Sequence, residues 1–192
     1  EFLRAWGYFG QAEAPEAFWG PRDVLVDAEG QVYVTDTGNK RVVVFDSEGN
    51  FLTQFGVAGL GAGEFDEPVG LAMDAEGRLY VADTWNQRIQ SFVQAEDGSF
   101  VPETSWNVTG WYGQSLENKP YLAASEQGVF ASDPESFRVL QFDRDGTPLR
   151  TWGQAGSGVD SFGLVGSVAV DGQGGVWVTD TGNGRVMHFT LP

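Results

Sequence analysis

The sequence predicts an all-β propeller, because one phrase built around Asp, Asn and Arg recurs along the chain amid short strand signals. Its copies read VYVTDTGNKR, LYVADTWNQR, VFASDPESFR and VWVTDTGNGR. Their aspartates are 47, 50 and 47 residues apart, at Asp36, Asp83, Asp133 and Asp180. Periods in this range are typical of architectures that stack one supersecondary unit several times. No amphipathic helical period of useful length interrupts the copies.

Each unit is expected to contain four strands in chain order. An apolar run such as DVLVD or GLAMD closes in a polar glycine turn, and an aromatic-bearing run such as VYV or LYV follows. The Asp-x-x-Asn turn then leads to a third run from Arg to Phe, and a second acidic glycine turn leads to a fourth run ending in QFG or TWG. This order predicts a four-stranded antiparallel meander. Repeated meanders of this kind are typical of propeller blades.

The two ends of the chain predict how the blades close. The opening EFLRAWG matches the fourth runs NFLTQFG and TPLRTWG, whereas the last repeat stops after its third run. We therefore expect one domain over 1–192, with blade units at about 18–56, 65–106, 117–153 and 162–192 plus 1–7. In this arrangement the N-terminal strand closes the fourth blade and removes open edges. The alternative is an arc of a larger propeller, completed by a second copy or by residues outside this sequence.

The repeat resembles the NHL repeat, most clearly in FDEPVGLAMDAEGRLYVADTWNQRIQSF. The resemblance covers nearly the whole chain and is specific in three copies. The third copy departs from it at Pro134, Glu135 and Ser136. The resemblance implies a propeller used mainly for binding, with RNA, proteins or glycans as targets in different members. It also implies a minority of lyases and lactonases that hold a metal in the central channel.

Composition narrows the classes of partner. The formal net charge of −16 disfavours nucleic acid, because so acidic a surface repels phosphate. Cysteine is absent, so neither a disulfide framework nor a thiolate metal site is expected. No apolar run approaches the length of a membrane span, so direct insertion is not expected. The chain lacks an initiator Met, and we expect a domain of a larger extracytoplasmic or envelope-associated protein.

The acids cluster at one end of the blades, in turns such as DAEG and DRDG. These turns superficially resemble fragments of calcium loops, but such a site needs six to eight oxygens from a longer motif. Hairpin turns favour Asp and Gly in any case. We therefore expect ordinary turns and no cofactor, with calcium as the weaker alternative.

The opposite end carries exposed-aromatic candidates for a ligand site. Trp85 occupies the turn position that Gly38 and Gly182 hold in sibling repeats, and Trp19 lies in a connection between units. Large rings on loops at a propeller mouth are plausible anchors for sugars or for side chains of a protein. Trp111 and Tyr112 lie in another connection, and packing between blades is the favoured interpretation for both Trp19 and Trp111.

The Asp–Arg pair of each repeat admits two interpretations. Each Arg follows its Asp by five residues, so it lies across the hairpin and is expected to pair with this Asp or with that of a neighbouring blade, as a clamp. Alternatively, the cationic side chains form a ring that binds an anion. The clamp is favoured because even the degenerate third repeat keeps the pair. The arginines are Arg41, Arg88, Arg138 and Arg185.

Catalytic signatures are weak. His188 is the single histidine, so neither a histidine-rich metal site nor a Ser-His-Asp set is expected. The favoured function is a non-catalytic scaffold that binds a protein or a glycan through the mixed-charge end. The alternative is a divalent-metal lactonase or lyase that uses the central channel. A purely structural module of a larger envelope-associated protein is a third interpretation.

Overall fold

The computed structural model describes residues 1–111 and 118–191, and the fold in these ranges is almost entirely β. Two short 3₁₀ helices, Thr37–Asn39 and Thr181–Asn183, are the helical elements of the described residues, and no helix there is long and apolar enough to cross a membrane. The strands are, in chain order, β1 (Tyr8–Phe9), β2 (Ala17–Phe18), β3 (Pro21–Val26), β4 (Val32–Asp36), β5 (Arg41–Phe45), β6 (Phe51–Phe55), β7 (Val57–Ala58), β8 (Glu64–Phe65), β9 (Pro68–Met73), β10 (Leu79–Asp83), β11 (Arg88–Gln94), β12 (Phe100–Asn107), β13 (Leu122–Ser125), β14 (Gly128–Asp133), β15 (Arg138–Phe142), β16 (Pro148–Trp152), β17 (Val165–Val170), β18 (Gly175–Asp180) and β19 (Arg185–Thr190).

Four antiparallel sheets form the blades of a β-propeller, as the repeat predicts. Blade 1 contains β3–β6, blade 2 β9–β12, blade 3 β13–β16 and blade 4 β17–β19. Within every blade, each strand pairs with the next one along the chain. The connection before a blade runs from the outer strand of one blade to the inner strand of the next. In the connections before blades 1 and 2 it makes the short parallel pairs β1–β2 and β7–β8.

The core lies between consecutive blades. The face that a blade turns toward its predecessor is called its leading face, and the opposite face its trailing face. Tyr33 and Val42 on the trailing face of blade 1 pack with Leu71 and Phe92 on the leading face of blade 2. The same arrangement recurs between blades 2 and 3 and between blades 3 and 4. Because each interface buries aromatic and β-branched side chains, the blades stabilise one another chiefly by the hydrophobic effect.

The acidic turns at one end are ordinary hairpin turns. Oδ1 of Asp46 accepts hydrogen bonds from the backbone N–H groups two and four residues further on, at 2.9 and 2.8 Å, and Asp143 does the same at 3.0 and 2.7 Å. Hydrogen bonds from the side chains of Asn50 and Thr147 hold the pKa of Asp46 and Asp143 respectively below the usual range, and these backbone bonds lower it further. The acids are therefore used by the turns themselves.

At the same end, the turns between the first and second strands of blades 1, 2 and 4 are also hydrogen-bonded to the blade core. Oδ2 of Asp74 accepts from the hydroxyl of Tyr80 at 3.0 Å, and Oδ2 of Asp27 accepts from Tyr33 at the same distance. In blade 4 the donor is Nε1 of Trp177, 2.8 Å from Oδ2 of Asp171. Blade 3 carries Ser125 and Phe130 at the two positions. The carboxylate and its donor are replaced together in that blade.

The expected closure of blade 4 by the N-terminal strand is wrong. Residues 1–7 form no strand in the structure, and blade 4 has three strands. The N-terminal segment lies instead on blade 1, where the Trp6 ring is 5.8 Å from Phe45 and Arg4 pairs with Glu48. The reason is an aromatic pocket on blade 1 around Phe45. Trp6 matches Phe55 in the repeat, and Phe55 packs on Phe92 of the blade that follows it, with ring centres 4.8 Å apart. Trp6 packs in the same way on Phe45, the equivalent of Phe92 in blade 1. Packing on the following blade therefore fixes this segment.

The first and last blades leave apolar faces exposed. Val24 on the leading face of blade 1 is 62% exposed, whereas its equivalents Leu71 and Val168 are each 4% exposed. On the trailing face of blade 4, Val186 is 62% exposed, whereas its equivalent Ile89 is fully buried. These side chains have the chemistry of an interface between blades, and the described residues do not cover them.

Candidate functional site

The recurring phrase folds into a tight turn between the second and third strands of each blade. In blades 1 and 4 the turn is a 3₁₀ helix ended by a residue in the left-handed conformation, Lys40 at φ 59° and Gly184 at φ 62°. Gln87 and Phe137 have the same conformation in blades 2 and 3. The Asn of the phrase is not among the residues with positive φ. The residue after it supplies the positive φ, and Asn contributes its side chain.

The Asp of each phrase is the centre of a hydrogen-bond cluster. In blade 2, Oδ2 of Asp83 accepts from Nδ2 of Asn86 and from Nε of Arg88, both at 2.8 Å. Oδ1 accepts the backbone N–H of Asp66 in the preceding connection at 2.7 Å. Blades 1 and 4 repeat all three bonds. In blade 3 the Asp–Arg bond is present, and the residue matching Asp66 falls at 116, outside the described ranges.

The arginines complete the cluster by holding the preceding connection. Their other N–H groups donate to its carbonyl oxygens, at Ala14, Pro15 and Ala17 for Arg41, Leu60, Gly61 and Glu64 for Arg88, Thr109 for Arg138, and Ser157, Gly158 and Ser161 for Arg185. Each guanidinium group thus binds the Asp of its own blade and the connection before that blade, which is the geometry of a clamp. A role of these four arginines in ligand binding stays a prediction.

Burial has a different net effect on the pKa of the clamp aspartate in blade 2 than in blade 4. Burial raises the pKa of Asp83 above its usual range, outweighing the hydrogen bonds from Asn86 and Arg88. Burial also acts to raise the pKa of Asp180, but its hydrogen bonds to Asn183, Gly163 and Arg185 outweigh that effect and the pKa lies below the usual range. Asp83 belongs to a blade with neighbours on both sides, whereas Asp180 belongs to the blade with the exposed trailing face.

Trp85 and Trp19 occupy complementary places in neighbouring blades. The backbone N–H of Trp85 donates to Asp66 O at 3.1 Å, and that of Gly38 donates to Trp19 O at 2.8 Å. In blade 2 the tryptophan therefore lies on the turn, and in blade 1 it lies on the connection that the turn contacts. A Cβ at Gly38 would lie 2.6 Å from Trp19, which explains the glycine there. Trp85 is 58% exposed and Trp19 46% exposed, so both rings reach solvent.

Two lysines missed by the sequence analysis flank Trp85. Nζ of Lys40, from blade 1, is 5.7 Å from the centre of the ring, and Nζ of Lys119, which precedes blade 3, is 6.0 Å from it. Each lysine also pairs with a carboxylate of the connection before blade 2: Lys40 with Asp66 at 2.8 Å, and Lys119 with Glu67 at 2.6 Å. The sequence signal was a charged residue before proline, in Glu67–Pro68 and Lys119–Pro120.

Glu67 adopts a costly conformation for this purpose. Its φ is 66°, at the position where blade 1 has Gly20 at φ 63°. Both Glu67 and Lys119 are buried, at 8% and 3% exposure. Hydroxyl Oγ1 of Thr84 also donates to Glu67 O at 3.0 Å, which ties this pair to the Trp85 turn.

The other sequence candidates lie elsewhere. Trp111 is buried between blades 2 and 3 and donates to Ser132 O at 3.3 Å, as the packing interpretation predicts. Tyr112 lies outside the described residues. His188 stacks on Trp177 of the trailing face of blade 4, with ring centres 4.0 Å apart. Within 1–111 and 118–191, no group of three His, Cys, Asp or Glu side chains is placed to hold a metal ion.

Comparison with known proteins assigns the family. A family model described as "6-bladed beta-propeller" matches residues 22–122, and one described as "NHL repeat" matches residues 162–189. Protein brain tumor of Drosophila melanogaster is 28% identical over 148 residues, which are 77% of this chain and 13% of that protein. The chain therefore spans a small part of this curated relative.

Solved structures agree in fold. A gluconolactonase of Xanthomonas campestris is 17% identical with a TM-score of 0.64, over 96% of this chain and 61% of that one. The nidogen/laminin complex gives 19% identity and a TM-score of 0.64, over 88% and 60%. At such identities the likeness concerns the fold alone. Blade topology, clamp geometry and family match agree, and the chain belongs to the 6-bladed beta-propeller family, with blades of the NHL-repeat type.

Proposed function

We propose that this propeller is a non-catalytic binding module that takes a protein or a glycan at the end carrying Trp85. The observation that supports the proposal is the exposed indole of Trp85, flanked by Lys40 and Lys119 at 5.7 and 6.0 Å. Gly38 and Gly182 occupy the same position in blades 1 and 4, where the turn forms without an aromatic side chain. A large aromatic side chain that the fold does not require is a natural anchor for a partner.

The geometry gives less support to a channel metal enzyme. The carboxylate of Glu67 already accepts a hydrogen bond from the ammonium of Lys119 at 2.6 Å. A divalent cation at this carboxylate would have to displace that ammonium. The gluconolactonase likeness concerns the fold and adds no residue to the argument.

The test uses two substitutions that import the residue of a sibling repeat. Trp85→Gly introduces the residue of blades 1 and 4, and the control Trp177→Tyr replaces another exposed tryptophan with the residue of blades 1 and 2. Wild type and both variants are screened on printed protein and glycan arrays. We expect binding that Trp85→Gly removes and Trp177→Tyr keeps.

Two results would contradict the proposal. One is array binding that Trp85→Gly leaves intact. The other is a higher Tm in micromolar calcium together with lactone turnover, which would instead support the metal-dependent enzyme.

A further inference from the structure

We propose that Trp85 and its two lysine–carboxylate pairs form a subsite for a neutral sugar ring of a glycan. The inference rests on the proposed function, because it concerns the same site and names the ligand class. The solvent-accessible members of the subsite are Trp85, Lys40 and Asp66, and the buried Lys119, paired with Glu67, supports the Trp85 ring. Its residues come from the turns and connections of blades 1 to 3, so the assembled propeller is needed to bring them together.

The charges of the subsite cancel in pairs. Lys40 is 2.8 Å from a carboxylate oxygen of Asp66, and Lys119 is 2.6 Å from one of Glu67. An anionic ligand that approached the accessible ammonium of Lys40 would meet the carboxylate of Asp66, and a cationic ligand that approached Asp66 would meet the ammonium of Lys40. The net charge of −16 opposes anions further. A neutral ligand carries neither penalty.

Paired donors and acceptors suit hydroxyl groups. A sugar hydroxyl donates one hydrogen bond and accepts others, so it can bridge a carboxylate oxygen and an ammonium. Bonds to charged groups are stronger than those between neutral groups, and a few placed polar groups fix the orientation of a ligand. Vicinal hydroxyls of a sugar ring present such groups side by side.

The indole supplies the apolar contact. Trp85 is 58% exposed, and both lysines lie within cation–π distance of its ring, which orients the side chain. A large ring that moves little on binding contributes contact area at low entropic cost. The C–H face of a sugar can stack on it.

The conformation of Glu67 independently points to a ligand. It holds a left-handed φ of 66° and a buried ion pair, two features that each cost stability in a folded protein. Gly20 satisfies the same backbone position in blade 1. The fold therefore does not demand Glu67, whereas its carboxylate holds the ammonium of Lys119 that lies over the Trp85 ring.

The experiment presents the full chain with neutral and charged oligosaccharides. The neutral probes are glucose, mannose, galactose and N-acetylglucosamine oligomers, and the charged probes are polygalacturonate and heparin. Hits are titrated by tryptophan fluorescence with wild type, Trp85→Gly and Trp177→Tyr. We expect a neutral probe to bind, with a Kd about 10-fold or more weaker in Trp85→Gly, unchanged in Trp177→Tyr and insensitive to salt.

A second variant separates the subsite from a bare aromatic contact. Lys40→Met keeps the length of the side chain and removes the donor of the accessible pair, and we expect it to weaken the same probe while circular dichroism stays that of wild type. Binding of charged probes alone, with an affinity that falls as salt rises, would overturn the inference. So would protein binding alone that depends on Trp85, which would leave the proposed function standing. Absence of binding to all probes would overturn the sugar subsite as well.

Discussion

At the residue scale, the chemistry of the propeller is concentrated in Asp side chains that each accept several hydrogen bonds. Asp83 is fully buried and accepts hydrogen bonds from Asn86, Arg88 and a backbone amide. A buried carboxylate is tolerated only when such partners replace its water. The recurring phrase therefore encodes a joint between a hairpin and the connection before it.

Arg88→Ala tests this joint. The substitution leaves the carboxylate of Asp83 buried without its cation, and we expect it to lower the free energy of unfolding by about 3 kcal/mol. Arg185→Ala removes the same clamp in blade 4, where the arginine side chain is 32% exposed against 12% for Arg88. We expect a smaller loss there, because water can replace part of the interaction. Urea unfolding measures both, and unchanged stability with lost ligand binding would overturn the clamp.

At the element scale, the turn that ends each second strand depends on one left-handed residue. That residue is Lys40, Gln87, Phe137 or Gly184, according to the blade. Three of the four are not glycine, although an L-residue pays a steric penalty in this conformation. The cluster around the neighbouring Asp holds the turn in place against this penalty.

A reciprocal exchange measures the penalty. Gly184→Gln introduces a side chain at φ 62° where a Cβ would meet no atom within 4 Å, so backbone strain is the main cost. We expect it to destabilise the protein by about 1 kcal/mol, and Gln87→Gly to be neutral or slightly stabilising. Thermal unfolding of the two variants checks this. Equal destabilisation by both would show that the turns differ in more than this backbone angle.

Strand order was predictable from the sequence, whereas the subsite and the N-terminal packing were not. Runs such as VYVTD and RVVVF carry their strand signal locally, and the turn residues between them set the hairpins. Lys119 meets Glu67 across a sequence separation of 52 residues, and no local pattern encodes that contact. Residues 1–7 have the sequence of an outer strand, but their partner is decided by the aromatic pocket of blade 1.

At the scale of the whole molecule, the blades of a 6-bladed family meet their neighbours through equivalent apolar faces. Val24 and Val168 occupy the same strand position, but Val168 is buried against blade 3 and Val24 is exposed. Repeat equivalence thus provides an internal control for burial. The same residue type in the same local structure differs only in its neighbour.

Val24→Ala and Val168→Ala use this control. Val168→Ala should cost about 2 kcal/mol, because it removes two buried methyl groups, whereas Val24→Ala should cost less than about 0.5 kcal/mol. Denaturant unfolding compares the two, at several protein concentrations. Equal costs would mean that the leading face of blade 1 is covered in solution, and a dependence on concentration would identify a second copy as the cover.

The bond between a turn aspartate and its blade's aromatic donor has a consequence for how such chains diversify. Asp74 and Tyr80, or Asp27 and Tyr33, lie within one blade, and blade 3 has exchanged both positions for Ser125 and Phe130. Exchange of only one of the two residues would leave either a carboxylate or a hydroxyl without its hydrogen-bond partner. Genetic recombination with breakpoints in the connections moves both partners at once. Exchange of a whole blade therefore keeps this bond intact, whereas exchange of one of its two residues does not.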